Sequence, residues 1–355
     1  MMKRIDSFKT IMQAKGYEAA IIFNRTNITY LSGYTGSETA LFITPQKLLF
    51  LADSRNTLQA KIEAKDFEVI DIGRETLANA AGELVKQNGF KNIAIEADTI
   101  SLSIYRTLKE IADVNYEAVD KEILNMRAIK DEDEIKNIQI ACDIACSALE
   151  HIVTIIKPGI KEIDIALEME YYFKKHGAEG VSFDTIVGFE ENAAMAHARP
   201  SNRILKNHEF VLIDFGCKVN GYCSDMTRTF ALGDVSDEHK KVYNIVLDAQ
   251  KAALDAIVPN MLGKDLHNVA KDVITKAGYG DFFGHGLGHG IGMDVHEAPG
   301  VRPRSEDILA PGTVFSVEPG IYLEDKFGVR IEDLVYITKN SYTNLIKYNK
   351  ELTIL

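Results

Sequence analysis

The chain has 355 residues, 46% hydrophobic and 26% charged, with a formal net charge of -12. The length suits two domains of ordinary size and the composition is that of a soluble globular protein. The acidic balance argues against a nucleic-acid partner, which needs a basic face, and no uninterrupted apolar run is long enough to span a membrane.

The opening stretch MMKRIDSFKTIMQAKGYEAA carries basic residues but no apolar run of signal-peptide length, so a cytoplasmic location is expected. RIDSFKTIMQAKG reads as a helix stopped by Gly16. AAIIF, ALFIT, KLLFLAD, FEVIDI and NIAIEA are short β-rich apolar runs, and TLANAAGELVKQNG is a helix ending at Gly89. This alternation predicts an α/β domain with a mixed or parallel sheet over residues 1–125. No GxGxxG follows its first strand, and its strand ends lack histidine or cysteine clusters. A capping or oligomerisation role is expected of it.

Residues 126–355 read as an α+β domain. AIKDEDEIKNIQIACDIACSALEHIVTIIKPG is a long helix with acids at its start and Pro158-Gly159 as its stop. KEIDIALEMEYYFKKHG, DEHKKVYNIVLDAQKAALDAIVP and KDLHNVAKDVITKAG are further helices. FDTIVGF, FVLIDFGC, GYCSDMTRTFAL, TVFSVEPGIYL and FGVRIEDLVYIT are β segments. The four cysteines make a poor disulfide framework for so long a chain. Cys142 and Cys146 read as small core residues on a helix. Cys217 and Cys223 lie on the arms of a hairpin, and with no sign of export they are expected as thiols.

Strands with buried faces should not carry acids there without a reason. Two hairpins here do. Asp214 and Asp225 are equidistant from the junction of Val219 and Asn220, beside an Asn-Gly turn signal. Glu318 and Glu332 are equidistant from Asp325. Opposed carboxylates repel unless a proton or a cation lies between them. Single solvated acids would be unremarked among the 52 in the chain, but all four interrupt apolar β segments and the device occurs twice. Proton sharing alone would need only two acids. Four acids with a histidine point to a cation site. Oxygen ligands suit Mg, Mn or Ca, and an imidazole moves the preference toward Mn, Co, Fe or Zn. The negative charge suits two ions better than one.

The segment FFGHGLGHGIGMDVHE holds three of the nine histidines. It is not a Rossmann loop, because the third glycine position after Gly284 and Gly286 is His289. No Walker lysine follows, and His285 and His289 enclose no glutamate, so HExxH is absent. Alternate glycines fit a backbone packed close against its surroundings. That leaves His289 free to meet a metal and His296 to act beside it. His197, in the small-residue loop ENAAMAHARP, sits where catalytic groups are often displayed. His151, His176, His208, His239 and His267 read as structural.

Together these residues resemble the pita-bread metallopeptidases, in particular the Xaa-Pro dipeptidases (prolidases) and the aminopeptidases P. NITYLSGYTGS resembles that family's creatinase-like N-terminal domain, and MRAIKDEDEI its entry to the catalytic domain. The five-ligand pattern is filled by the acids in IDFG, SDMTRTF, VEPGIY and RIED and by the histidine in GHGIG. The resemblance implies that Asp214 chelates one metal, that Asp225 and Glu332 bridge, and that His289 and Glu318 serve the other metal. It implies that His197 and His296 bind substrate and stabilise a tetrahedral intermediate, and that Glu318 doubles as proton acceptor. His285 and Arg330 would line or brace the site.

The implied activity is hydrolysis of Xaa-Pro bonds by a water activated by two divalent metals, manganese first, then cobalt or zinc. The implied assembly is a homodimer acting on small peptides. Prolidases often carry an arginine four residues after the second histidine, to clamp a substrate carboxylate. Gly300 stands there in this chain, and Arg302 or Arg304 could substitute. Ala196 replaces the family's proline before the first histidine. Aminopeptidase P, acting on longer peptides, is the alternative expectation. A non-catalytic binding protein of the same fold would be marked by lost ligands, and none are lost.

Overall fold

The computed structural model describes residues 2–355. The chain divides into two compact units, Met1–Met126 and Arg127–Leu355.

The first unit is built on a six-stranded sheet. Its strands are β1 (Ala19–Ile22), β2 (Ala40–Ile43), β3 (Leu48–Ala52), β4 (Glu68–Asp71), β5 (Asn92–Ile95) and β6 (Asn115–Ala118), in the order β4-β3-β2-β1-β5-β6. The sheet is mixed: β1, β5 and β6 run parallel, β3 and β4 run parallel, and β2 opposes both its neighbours. The central strands are buried on both faces, which is why they read as continuous apolar runs. Helices α1 (Met2–Lys15), α2 (Arg25–Ser32), α3 (Thr57–Glu63), α4 (Leu77–Asn88), α5 (Leu102–Ile111) and α6 (Asp120–Ala128) connect and follow the strands. Gly89 ends α4 in the left-handed conformation, with its N–H on the carbonyls of Lys86 and Val85. Helices α2, α3, α5 and α6 are not anticipated from the sequence: all are short, and only α2, which stops at Gly33, has a glycine stop.

In the second unit the first long helix does not run on from Ala128. Ile129, Lys130 and Asp131 interrupt the helix, and α7 covers Glu132–Val153. Asp131 and Glu134 form a reciprocal capping box at its start. Then come α8 (Glu162–Lys175), β7 (Gly180–Val181), β8 (Ile186–Phe189), a 3-10 turn at Glu190–Ala194, β9 (Glu209–Phe215), β10 (Cys217–Val219), β11 (Tyr222–Cys223) and β12 (Met226–Leu232). Helices α9 (Asp237–Ala256) and α10 (Gly263–Lys276) precede β13 (Gly288–Gly290), β14 (Glu297–Val301), β15 (Val314–Val317), β16 (Gly320–Leu323), β17 (Phe327–Arg330), β18 (Asp333–Ile337) and β19 (Tyr342–Asn344). The ladders between these strands are antiparallel. Val246, Leu254, Leu266 and Ile274 of α9 and α10 share a core with Phe315, Val317, Val329 and Val335 of the sheets.

The first hairpin turns one residue later than its midpoint suggests. Asn220 and Gly221 both have positive φ, which makes them the two central residues of a primed turn. Val219 therefore pairs with Tyr222, and Asp214 pairs with Thr227. Asp225 and Asp214 are offset by two residues and are not directly opposed. The same register sets Cys223 against Lys218, and all four cysteines are free. The second hairpin keeps the expected register. Val317 pairs with Asp333 and Gly320 with Arg330, so Glu318 and Glu332 fall opposite each other between these pairs.

Candidate active site

Acids and histidines from several strands of the second unit converge on one cavity of about 480 Å³. That volume suits a small ligand. Asp214 enters it from the end of β9, and Asp225 from the bend between β11 and β12. His289 comes from the centre of β13, and Glu318 and Glu332 from the break between the β15–β18 and β16–β17 ladders. His197, His285, His296, Arg302 and Arg330 line the same cavity, whereas Arg304 does not.

The ligating atoms of Asp225, His289 and Glu332 lie within 4.8 Å of one another. Glu318 adjoins this trio through its Oε1, 3.3 Å from His289 Nε2, and Asp225 Oδ2 lies 3.6 Å from the same nitrogen. Asp214 stands to one side, where Arg330 Nη2 donates to its Oδ2 at 2.5 Å. Thr227, facing Asp214 in the ladder, donates through Oγ1 to Glu332 Oε2 at 2.7 Å and accepts from Arg330 Nε at 3.1 Å. Ser316 Oγ donates to Glu318 Oε1 at 3.1 Å and accepts the His289 backbone N–H.

The histidine ring is oriented by its own backbone. His289 Nδ1 lies 3.1 Å from the Gly290 carbonyl, which can only accept, so Nδ1 carries the proton and Nε2 presents a lone pair to the acids. Burial holds the imidazole below its ordinary value and keeps it neutral. A lone pair facing two carboxylates is unfavourable without a proton or cation among them.

The acids report the same strain. Burial, reinforced by the charges of Glu332, Asp214 and Glu318, pushes the Asp225 carboxyl far above the carboxylate range. Burial, then Glu318 and Asp214, does the same to Glu332. Burial pushes Glu318 up to about 8. Asp214 Oδ1, Asp225 Oδ1 and Glu332 Oε1 are buried without a hydrogen-bond partner among the described residues. Leaving such oxygens bare costs about 1–3 kcal/mol each, more when charged. Three orphaned carboxylate oxygens beside a neutral imidazole are the donor set that a divalent cation completes.

Gly288 shows what the glycines are for. A Cβ there would lie 1.9 Å from the Ser316 carbonyl oxygen, so β13 can approach β15 only with hydrogen at that position. This approach brings His289 and Glu318 together. His267 also contributes, because its Nδ1 accepts the Leu287 N–H at 3.1 Å and braces the glycine-rich segment from α10.

Tyr322 was not singled out by the sequence. Arg330 Nη1 donates to its Oη at 2.7 Å, and that oxygen lies 3.0 Å from His285 Nε2. His285 Nδ1 faces the Gly286 carbonyl, so the tyrosine hydroxyl is the donor to Nε2. The chain Arg330 to Tyr322 to His285 fixes three walls of the cavity in one direction of donation. Burial and the Arg330 charge hold His285 down to about 4, so it stays neutral. Arg199, Phe183 and Ile186 also line the cavity. The order "FDTI" and "HARP" in the sequence gives no signal for these until the loops are folded.

Residues 136–339 match metallopeptidase family M24, and residues 4–129 match the creatinase/prolidase N-terminal domain. An uncharacterized peptidase of Bacillus subtilis is 39% identical over 99% of this chain and 100% of its own length. The solved Xaa-Pro dipeptidase from Bacillus anthracis superposes with a TM-score of 0.96 at 36% identity, over 100% of this chain and 99% of that one. The X-Pro aminopeptidase from Thermotoga maritima superposes with a TM-score of 0.89 at 39% identity, over 96% and 98%. The chain therefore belongs to metallopeptidase family M24, whose members use divalent metal ions, and carries that family's creatinase/prolidase N-terminal domain.

Proposed function

We propose that this chain hydrolyses the Xaa-Pro bond of dipeptides, with two divalent ions held by Asp214, Asp225, His289, Glu318 and Glu332. Manganese is the first choice of metal, with cobalt and zinc as alternatives. The observation that carries this reading is the set of three buried, unpartnered carboxylate oxygens around the neutral His289 imidazole. When bound, the ions supply an acidified water and a Lewis acid for the scissile carbonyl.

The protein's own groups do the rest. Glu318 takes the proton of the attacking water and passes it toward the prolyl nitrogen. His197 and His296 hold the carbonyl oxygen as it becomes tetrahedral. Arg330 keeps Asp214 and Tyr322 in place, and His285 lines the cavity beside Tyr322. A prolyl nitrogen has no N–H to offer, so recognition must come from the ends of the substrate.

Arg302 would grip the free carboxylate of a dipeptide. It lines the cavity, is exposed, and has no ion-pair partner among the described residues. A Cβ at Gly300 would lie 3.2 Å from Arg302 Nε, so a side chain at 300 would press on the arginine's head group. The family resemblance further supports a homodimer in the cytoplasm, and light scattering on the purified chain tests the dimer.

A second reading, release of the N-terminal residue from longer Xaa-Pro peptides, is favoured by the 39% identity to the Thermotoga maritima X-Pro aminopeptidase. Ala-Pro and Ala-Pro-Ala, each assayed with added manganese, separate the two. Faster cleavage of Ala-Pro supports the dipeptidase. Cleavage of the tripeptide alone replaces it by the aminopeptidase, and inertness toward both sinks each.

A further inference from the structure

His296 has no hydrogen-bond partner for its ring among the described residues; what meets it is the edge of His289, with ring centroids 4.3 Å apart. Yet it stands in a loop, residues 291–296, between β13 and β14. Something other than the ring must fix it.

The residues on either side of it are clamped. Arg127 Nη2 donates to Asp294 Oδ2 at 2.7 Å and also to Glu297 Oε2. Lys130 Nζ donates to Glu297 Oε1 at 3.0 Å. The side chains of Arg127, Lys130 and Glu297 are only 3%, 1% and 2% exposed. Two cations and two carboxylates thus balance in a cluster buried except at Asp294, whose side chain is 42% exposed, and Asp294 and Glu297 bracket His296. Gly292 makes room for it, since a Cβ there would lie 1.9 Å from Glu297 Oε1 and 3.1 Å from Lys130 Cε. On the other side Cys223 N donates to the Gly292 carbonyl at 2.8 Å and Lys218 Nζ to the Met293 carbonyl at 3.1 Å.

Buried ion clusters are weak sources of net stability, because desolvation offsets their attraction. They are strong sources of geometry, because a planar guanidinium nitrogen shared by two carboxylates accepts few arrangements. We propose that Arg127 and Lys130 are positioning residues for His296, holding its loop through Asp294 and Glu297 so that the imidazole meets the substrate carbonyl. This rests on the reading of His296 as a catalytic neighbour.

The test is Glu297→Gln, which keeps the shape and removes the charge, studied in the zinc-loaded, diamagnetic protein. Two properties are read: the His296 ring signals in histidine-labelled NMR spectra, assigned with His296→Gln, and kcat, KM and zinc affinity. The expected result is shifted or broadened His296 signals and a kcat lower by about tenfold to a hundredfold, with KM and metal affinity little changed. Unmoved His296 signals with wild-type kcat overturn the proposal, as does a loss of activity that only follows loss of metal. Should Glu297→Gln fail to fold, Arg127→Lys, which keeps the charge but replaces the planar Nη2 that serves both Asp294 and Glu297, is read in the same way. If the wild-type protein cleaves no Xaa-Pro peptide, the functional reading fails by itself, and the NMR signals still decide the positioning.

Discussion

His289 Nε2 and Glu318 Oε1 lie 3.3 Å apart, and the other ring nitrogen of His289 is committed to the Gly290 carbonyl. In the metal-free protein the contact is tolerable because Glu318, at about 8 against an ordinary 4.5, keeps its proton near neutral pH. A carboxyl raised on folding stabilises the folded state below its ordinary value, and that contribution is lost as pH rises through the raised one. Metal-free protein should therefore lose stability between about pH 4.5 and 8. Metal must displace those protons. Calorimetric titration with manganese near pH 6.5, in buffers of different ionisation heat, should register proton release. Equal apparent heats in all buffers would count against the arrangement.

Asp225 sits at the centre of the trio with His289 and Glu332. Asp225→Ala should cut metal-dependent hydrolysis by more than about a hundredfold, the upper range for losing a residue that only braces a ligand. The fold should survive. At pH 8 the metal-free variant should melt no lower than metal-free wild type, because it no longer buries a carboxyl crowded by Glu332, Asp214 and Glu318. A kinetic assay beside a melting curve checks both halves.

Arg302 should act on binding and not on chemistry. Losing a charged hydrogen bond is worth about 1.5–3 kcal/mol, so Arg302→Ala should raise KM for Ala-Pro by roughly tenfold to a hundredfold with kcat nearly kept. The amide Ala-Pro-NH2 should show little difference between the two proteins. An equal KM penalty on both substrates would remove the carboxylate from the account.

Gly288→Ala should be among the least tolerated single methyl additions in the chain. The new Cβ would start 1.9 Å from the Ser316 oxygen, so β13 and β15 must part. Overpacking of this kind costs about 1–3 kcal/mol or more. The strain falls between His289 and Glu318, so manganese affinity should drop together with the melting temperature. A variant with normal metal binding would show that the close approach is not needed.

Much of this was legible in the sequence because acids in apolar strands are conspicuous. Asp214, Asp225, Glu318 and Glu332 announce themselves that way, and the cavity does collect all four with His289. The opposition of Glu318 and Glu332 followed from spacing alone. That of Asp214 and Asp225 did not, because a two-residue turn centres on Asn220-Gly221 and shifts the register by two. Thr227 and Tyr322 were invisible for a different reason. Each is an ordinary strand residue whose importance lies in one hydroxyl reaching a partner distant in sequence, Glu332 from Thr227 and His285 from Tyr322. His267 read as structural, and through Leu287 it braces the segment leading into the strand that carries His289. Helix α3 was missed because seven residues carry too few turns to show a period, and α5 because no glycine marks its end.

The most direct measurement is hydrolysis of Ala-Pro by protein stripped of metal and then reloaded with manganese. The account predicts no turnover after stripping and recovery on reloading, with Asp225→Ala unable to recover. Full turnover by the stripped protein, or by stripped Asp225→Ala, would contradict it.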